Sequence, residues 1–450
     1  MNKRILSLAI PNIITNITVP LLGIVDMAIV GHLSTAHIGA ITIGTSIFNL
    51  IYWNFGFLRM GTSGLTSQAY GAQKQDEIVR IFIRSIVVAL SIAIALVAFQ
   101  KPIGLLAKSI FEGSDHIMQM AIAYFQIRIW AAPATLGLYA IKGWFIGMQD
   151  SKTPMWIAIF INIVNIVFSL LFVIAFKWDI EGVAWGTVIA QYSGLTVGLF
   201  FVFKKHGTLF RSHAHNHGRC HLITEAIKWN EMKLFFKLNF DIFLRTICLA
   251  AVFTFITRES GNISDNVLAI DAILLQFFTL FSYIMDGFAY AGESLVGRYI
   301  GAQNQPDLKK SVRLLMIWGI ILTMVFTLLY ASFGNVIMRI FTNDLQLINK
   351  SQPYMFWTLI IPICGFSAFL FDGIFVGATA GKTMRNSMFV ATIAFFAAYF
   401  GLRHYLLPSS NDMEQTANNC LWTAFMIYLT LRGLIQAMYL RKDVYNKIKN

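Results

Sequence analysis

The chain has 450 residues, 57% of them hydrophobic and only 13% charged, with a formal net charge of +13 and a mean hydropathy of +0.64. Soluble domains are nearer about 25% charged, so composition excludes a soluble enzyme and points to an all-α polytopic membrane protein. The four cysteines, Cys220, Cys248, Cys364 and Cys420, fall in apolar stretches or a basic loop and suggest no disulfide framework.

Apolar segments of spanning length recur along the chain. In order, the expected spans are 8–30, 38–66, 81–107, 116–142, 154–176, 183–203, 232–257, 266–293, 311–335, 352–378, 384–406 and 417–440. The opening MNKR followed by an apolar run imitates a secretory signal. No small-residue cleavage site follows, so it reads as a retained first span.

That span, PNIITNITVPLLGIVDMAIVG at 11–31, carries a single carboxylate, Asp26. Helical steps place Asn12, Asn16 and Asp26 along one face. Pro20 lies between them. It lacks an N–H, so the Asn16 carbonyl loses its helical partner and a hinge is expected there. An acid at this depth costs from about 3 to over 10 kcal/mol when charged, which marks it as a functional candidate. The plainer alternative is an Asp that merely bonds neighbouring helices.

The fifth span contains INIVNIVFS, in which Asn165 and Ser169 share a face and Asn162 is also polar. Asn165 is placed to hydrogen-bond Asp26, and Thr187 in the sixth span to join them. The longest loop follows at 204–231 and divides the chain into an amino-terminal lobe (1–204), a linker (205–231) and a carboxy-terminal lobe (232–450). Its histidines, His213, His215, His217 and His221, match no fixed-ligand metal spacing, so a solvated linker is expected.

In the second half, Asp241 and Arg245 stand four apart with the acid first, the favourable order for an intrahelical pair. That pair reads equally as structural or as part of a pathway. Tyr283, Asp286, Tyr290 and Glu293 form a helical stripe, with Glu293 close enough to the span end to snorkel. Asp372 lies in the tenth span, and each of these acids could titrate, bind a cation, or pair with Arg59 or Arg128. Arg432 also lies within a span.

The halves are related by a constant offset of 230. GAQKQ at 71–75 recurs as GAQNQ at 301–305, and GWFIGMQDSKT at 143–153 as GIFVGATAGKT at 373–383. The longer pair shares five identities where chance gives roughly one. Two parallel six-helix repeats form a transporter design. With an even number of spans both termini share a side. Placing that side in the cytoplasm puts 24 of the 35 Lys and Arg inside, 7 outside and 4 within spans, a positive-inside pattern. The expectation is a multi-pass inner (plasma) membrane protein, a monomer contacting anionic lipid and no nucleic acid.

An enzyme reading starts from GTSG at 61–64, with Ser63 as nucleophile. Such a site needs a base within reach, and every histidine lies in a loop or near a span end. No metal motif or phosphate-binding glycine loop occurs, so no cofactor is expected and pumping would draw on an ion gradient.

Together, PLLGIVDMAIVGHL, RMGTSGLTSQAYGA, GWFIGMQDSKTP, EGVAWGTVIA, LNFDIFLRT, SYIMDGFAYAGESLVGRYIGA and FDGIFVGATAGKTMRN resemble the multidrug and toxic compound extrusion family, in the branch named for DNA-damage-inducible protein F. The resemblance implies twelve helices in two pseudo-symmetric six-helix lobes flanking a central cleft. It implies efflux of small organic compounds in exchange for H⁺ or Na⁺. Asp26 then matches the coupling carboxylate of the first helix, Asn165 and Thr187 match polar positions near it, and Asp372 matches a tenth-helix carboxylate tied to cation coupling in another branch. Many relatives carry a second Asp in the fifth helix where this chain has Ser169. A lone carboxyl suits proton exchange, because neutralising it removes the cost of burying charge. Asp26, Asn165, Ser169 and Thr187 still offer four oxygens, so Na⁺ held at Asp26, Asn165 and Thr187 stays open. So does a lipid-linked oligosaccharide flippase, which would use Arg59, Arg128 and Arg245.

Overall fold

The computed structural model describes residues 1–31, 34–111, 114–217, 224–342, 344–410 and 412–448. The side chains of His213, His215 and His217, and His221 as a whole, lie outside the described residues. Helices account for nearly all the described residues, and no strand occurs among them.

Among the described residues sixteen α-helices build twelve crossings. Those of the first half are α1 (Asn2–Gly31), α2 (Thr35–Asn54) with α3 (Phe57–Gly71), α4 (Gln75–Ala98) with α5 (Gln100–Ile110), α6 (Asp115–Arg128) with α7 (Ala132–Gly147), α8 (Lys152–Leu170) and α9 (Asp179–His217). The second half has α10 (Trp229–Ile263), α11 (Asp265–Gly301), α12 (Gln305–Phe341), α13 (Leu345–Ser351) with α14 (Met355–Gly377), α15 (Gly381–Leu406) and α16 (Met413–Asp443). Eleven stretches among the described residues are long and apolar enough to cross a membrane by themselves. The crossing made by α6 and α7 is divided by a 3₁₀ turn at Ile129–Ala131. Pro133 follows directly, and its missing N–H accounts for the tightened turn. Proline also sits in the 3₁₀ turn Gln352–Tyr354 between α13 and α14.

The chain forms two compact units, residues 10–239, and residues 1–9 with 240–450. The first differs from a lobe ending at 204. Helix α9 continues through a kink at His206 to His217, and the segment from 224 is held to α4. Arg84 Nε donates to the Ala226 carbonyl (3.0 Å), its Nη2 donates to Glu231 (3.3 Å), and Arg80 pairs with Glu225. Much of the expected linker is therefore part of the amino-terminal unit. The second unit takes in the first turns of α1. There Trp318 Nε1 donates to Asn2 (3.4 Å).

The repeated motifs have a packing cause. In the amino-terminal unit, a Cβ on Gly143 or Gly147 would overlap the main-chain oxygens of Arg59 and Ser63. In the carboxy-terminal unit, Gly373 and Gly377 stand in the same way against the oxygens of Ala289 and Glu293. Both pairs of partners are 230 apart, like the glycines. Small residues at i and i+4 let two helices meet backbone to backbone. Ser63, the candidate nucleophile, is thus fully buried in a helix–helix contact.

The same offset governs the helix ends. Gln73 and Gln303, and likewise Gln149 and Thr379, adopt positive φ of 56°, 52°, 63° and 51°. Each closes a Schellman turn, with Lys74 N–H donating to Ala69 (3.0 Å), Asn304 N–H to Tyr299 (2.9 Å), Asp150 N–H to Phe145 (2.9 Å) and Ala380 N–H to Phe375 (2.9 Å).

Candidate functional site

Asp26 lies five residues before the end of α1 and is 2% exposed. Asn165 and Ser169, one turn apart on α8, are fully buried, as is Thr187 on α9. Glycine makes this corner possible. A Cβ on Gly186 would overlap Ser169 Oγ, so α8 and α9 meet where Thr187 begins its turn. Asn165 Nδ2 donates to Thr187 Oγ1 (3.1 Å), whose own hydroxyl donates to the Val183 carbonyl (3.1 Å). The Asn165 side chain also lies within hydrogen-bonding reach of Asp26. Beyond Ser169, α8 runs into a π-helical turn at Leu171–Ala175, a distortion common at functional sites.

Three buried oxygens here have no hydrogen-bond partner: Asp26 Oδ1, Asn165 Oδ1 and Ser169 Oγ. Buried polar atoms are rarely left unpaired. Among the described residues no ion pair includes Asp26. The cation whose charge reaches it is Arg128, which donates to Tyr124 Oη (2.7 Å) and stacks over Phe48 at 4.8 Å. The set is oxygen-rich, with one carboxylate and neutral amide and hydroxyl groups. It can hold a proton on Asp26, and it offers hard oxygens of the kind Na⁺ takes.

The rest of the polar face of α1 has structural partners. Asn12 Nδ2 donates to Ser151 Oγ (2.9 Å). Asn162 Nδ2 donates to the Thr18 carbonyl (2.9 Å), two residues before Pro20, so α8 grips α1 beside the proline. Both Pro11 and Pro20 lie inside α1, which runs as one helix from Asn2 to Gly31.

The second-half candidates sort differently. Asp241 and Arg245 do not pair with each other. Asp241 accepts from Arg385 Nη1 on α15 (2.6 Å), and Arg245 Nη2 pairs with Asp372 on α14. An intrahelical pair yields only about 0.2–0.5 kcal/mol, and each group finds an oppositely charged partner on a neighbouring helix. Asp372 also accepts from Arg432 Nη2 (2.8 Å) and Gln436 Nε2 (2.9 Å) on α16. Its partners are therefore Arg245 and Arg432 rather than Arg59 or Arg128. A cation at Asp372 would have to displace two guanidinium groups. Asp286 is half-buried on α11, and its charge reaches Arg432. Glu293 is buried, one face of its main chain closed by Gly377.

Sequence reasoning missed two acid sites in this unit. Glu259 on α10 pairs with Arg403 and accepts from Tyr399 Oη (2.6 Å) on α15. Asp271 on α11 is 1% exposed and bonds to Ser260, Asn418 and Trp422. Asp271 lies within the expected span 266–293, which was the available signal, whereas Glu259 falls just beyond the expected 232–257 and enters a span only because the helix continues to Ile263. They sit close to span ends, where snorkelling is the simpler expectation.

Comparison with known proteins agrees with this architecture. The MatE family profile matches residues 11–171 and 242–400, one segment in each unit. DNA damage-inducible protein F of Escherichia coli (strain K12) is 34% identical over 449 residues, covering 99% of this chain and 93% of that protein. The fold matches a structure described as MATE in the bent conformation, with a TM-score of 0.84 at 16% identity, covering all of this chain and 96% of that one. It also matches an outward-facing multidrug resistance MATE family transporter of the MOP superfamily, with a TM-score of 0.81 at 16% identity, covering all of this chain and 97% of that one. A family match in each unit and 34% identity to a relative over nearly the whole length make this chain a member of the MatE family.

Proposed function

We propose that this protein is a proton-coupled antiporter that exports small organic compounds across the membrane it spans, with Asp26 as the coupling group. The observation that carries this is the buried corner of Asp26, Asn165 and Ser169, in which three oxygens, one of them on the carboxylate, are unpaired and no ion pair to an arginine holds Asp26 among the described residues. Export of drug-like compounds is supported by a fold relative described as a multidrug resistance transporter.

Protonation of Asp26 removes a buried charge and changes what Asn165 and Thr187 must hydrogen-bond. Substrate and proton then compete for the same corner, and each shifts the same equilibrium. Pro20, gripped through Thr18 by Asn162, is the point where α1 takes up that change. Asp26 faces one side of the membrane and then the other, taking a proton outside as substrate leaves there and releasing it inside as new substrate binds. In this reading the membrane is the inner (plasma) membrane, both termini are cytoplasmic and the working unit is a monomer.

Sodium is the second reading, since the same four oxygens are hard ligands. Having one carboxylate rather than two, with Arg128 near, favours the proton. A lipid-linked oligosaccharide flippase would need free cationic groups, and Arg245 is spent on Asp372 while Arg128 is bound to Tyr124. The deciding experiment is transport of a fluorescent organic cation in proteoliposomes with imposed proton or sodium gradients. The proton gradient alone is expected to drive uptake into inside-acid vesicles. Uptake driven by sodium alone would transfer the role to Na⁺.

A further inference from the structure

Asp271 presents a problem of hydrogen counting. It is 1% exposed, and its neighbours Ser260 and Asn418 are fully buried, with Trp422 1% exposed. Its Oδ1 accepts two N–H groups, from Asn418 Nδ2 (3.0 Å) and Trp422 Nε1 (2.8 Å). Its Oδ2 lies against Ser260 Oγ. The Ser260 hydroxyl also stands 2.8 Å from the Ile256 carbonyl, as a donor to it. A serine has one hydrogen to give, so it cannot serve both oxygens at once. A proton on Asp271 Oδ2 resolves this. Oδ2–H donates to Ser260 Oγ, Ser260 donates to Ile256, and Oδ1 keeps both of its N–H donors.

Charge balance gives the same answer independently. Three other buried carboxylates in this unit, Asp241, Glu259 and Asp372, each face an arginine, namely Arg385, Arg403, and Arg245 with Arg432. Asp271 has only neutral partners among the described residues. Turning the Ser260 hydrogen toward it would serve an ionised carboxylate but would leave a negative charge buried without a cation, which is costly. Tyr354 at the head of α14 lies near enough to feel a charge on Asp271, and itself stands beside Asp412 and Glu414. The cation on this side, Arg403, reaches Cys420 on α16 but makes no contact with Asp271 among the described residues. Glu259 precedes Ser260 on α10 but is spent on Arg403.

We infer that Asp271 carries a proton in this conformation and is a second proton-exchange position, in the carboxy-terminal unit. It lies in the second turn of α11, beside the α10–α11 turn. By the 230 offset that turn corresponds to the α1–α2 turn near Asp26. The proton arrives from water at that end, sits on Oδ2 and leaves as a proton, with no other bond made or broken. The protonation claim stands without the exporter reading, while the exchange claim rests on it.

The test uses Asp271→Asn in the full-length protein. Its amide places an NH₂ where Oδ2–H would be and keeps an oxygen for Trp422 and Asn418. Infrared spectra of the protein in lipid at neutral pH are expected to lose one protonated-carboxyl C=O band, with the melting temperature unchanged. A spectrum that keeps every such band, or a variant that melts markedly lower because a carboxylate anion was required, overturns the inference. In proteoliposomes the number of protons exchanged per substrate is expected to fall by one. An unchanged ratio together with a lost band overturns the exchange claim and leaves a resident proton. The Asp271 band is expected to persist in Asp26→Asn, where efflux is lost. Failure of the exporter reading and failure of this one are therefore separate results.

Discussion

In the amino-terminal unit Asp26 is surrounded by amide and hydroxyl groups, with three oxygens left unpaired. In the carboxy-terminal unit Asp372 accepts from two arginines and a glutamine. Both are buried acids in copies of one six-helix plan, and the plan is kept to the level of which carbonyl faces which glycine. What diverged is the chemistry placed on it. The position 230 before Asp372 is Lys142, and the position 230 after Ser169 is Tyr399, which donates to Glu259. A carboxylate locked between guanidinium groups keeps its charge and its place, so it serves as an anchor. One among neutral groups can gain or lose a proton without breaking an ion pair, which suits it to the switching role proposed for Asp26. Duplication supplied the scaffold twice, and the partners decided the chemistry of each acid placed on it.

The most severe way to break this comparison is Asp26→Asn. Gradient-driven efflux in proteoliposomes is expected to disappear, with expression and melting temperature retained. Transport at the normal rate would remove Asp26 from the mechanism. In the other lobe the large effect falls on stability. Arg432→Met leaves Asp372 short of a partner and is expected to cost about 3–5 kcal/mol, read as a fall in detergent melting temperature. Adding Asp372→Asn should recover part of it, and a double variant no better than the single one would deny that the pair is an anchor. Ser169→Asp sharpens the contrast by placing a second acid beside Asp26, and the transporter should gain a response to an imposed sodium gradient.

Smaller effects test the shared scaffold. Gly377→Ala drives a methyl into the Glu293 main chain and is expected to cost about 1–3 kcal/mol. Gly23→Ala has nothing within 4 Å of the new methyl and should be neutral in the same melting assay. The smallest effect lies in the turn after α7. Burial opposes charge on Asp150, but hydrogen bonds from Lys205 (2.8 Å) and Thr153 outweigh it and hold its carboxyl below the usual value. A depressed carboxyl stabilises the fold above its unfolded value, and that stability is lost as pH falls through the folded one. Acid melting curves should show this loss at lower pH in the wild type than in Lys205→Ala. The difference should be under about 1 kcal/mol, since Lys205 is well exposed.

How far the sequence could be read differs between the same two corners. Asn165 and Ser169 stand one turn apart on a single helix, so their shared face was legible from spacing alone. Asp241 and Arg245 have the same spacing, yet they part to meet Arg385 and Asp372. Spacing fixes which groups could meet along a helix, but a stronger partner on the next helix overrides it. Asp271 stayed hidden for a related reason, because Ser260, Asn418 and Trp422 reach it from two other helices.

The sequence by itself determined the membrane class, the twelve spans, the duplication at 230 and the isolated acid in the first span. These follow from apolar length, local turn chemistry and repeated glycines, all of which act within one helix or between neighbouring helices. Only the tertiary structure decided which acids are neutralised and which are left among neutral groups. That depends on guanidinium, amide and hydroxyl groups on other helices, some of them more than a hundred residues away along the chain, brought close by helix packing that no local pattern encodes.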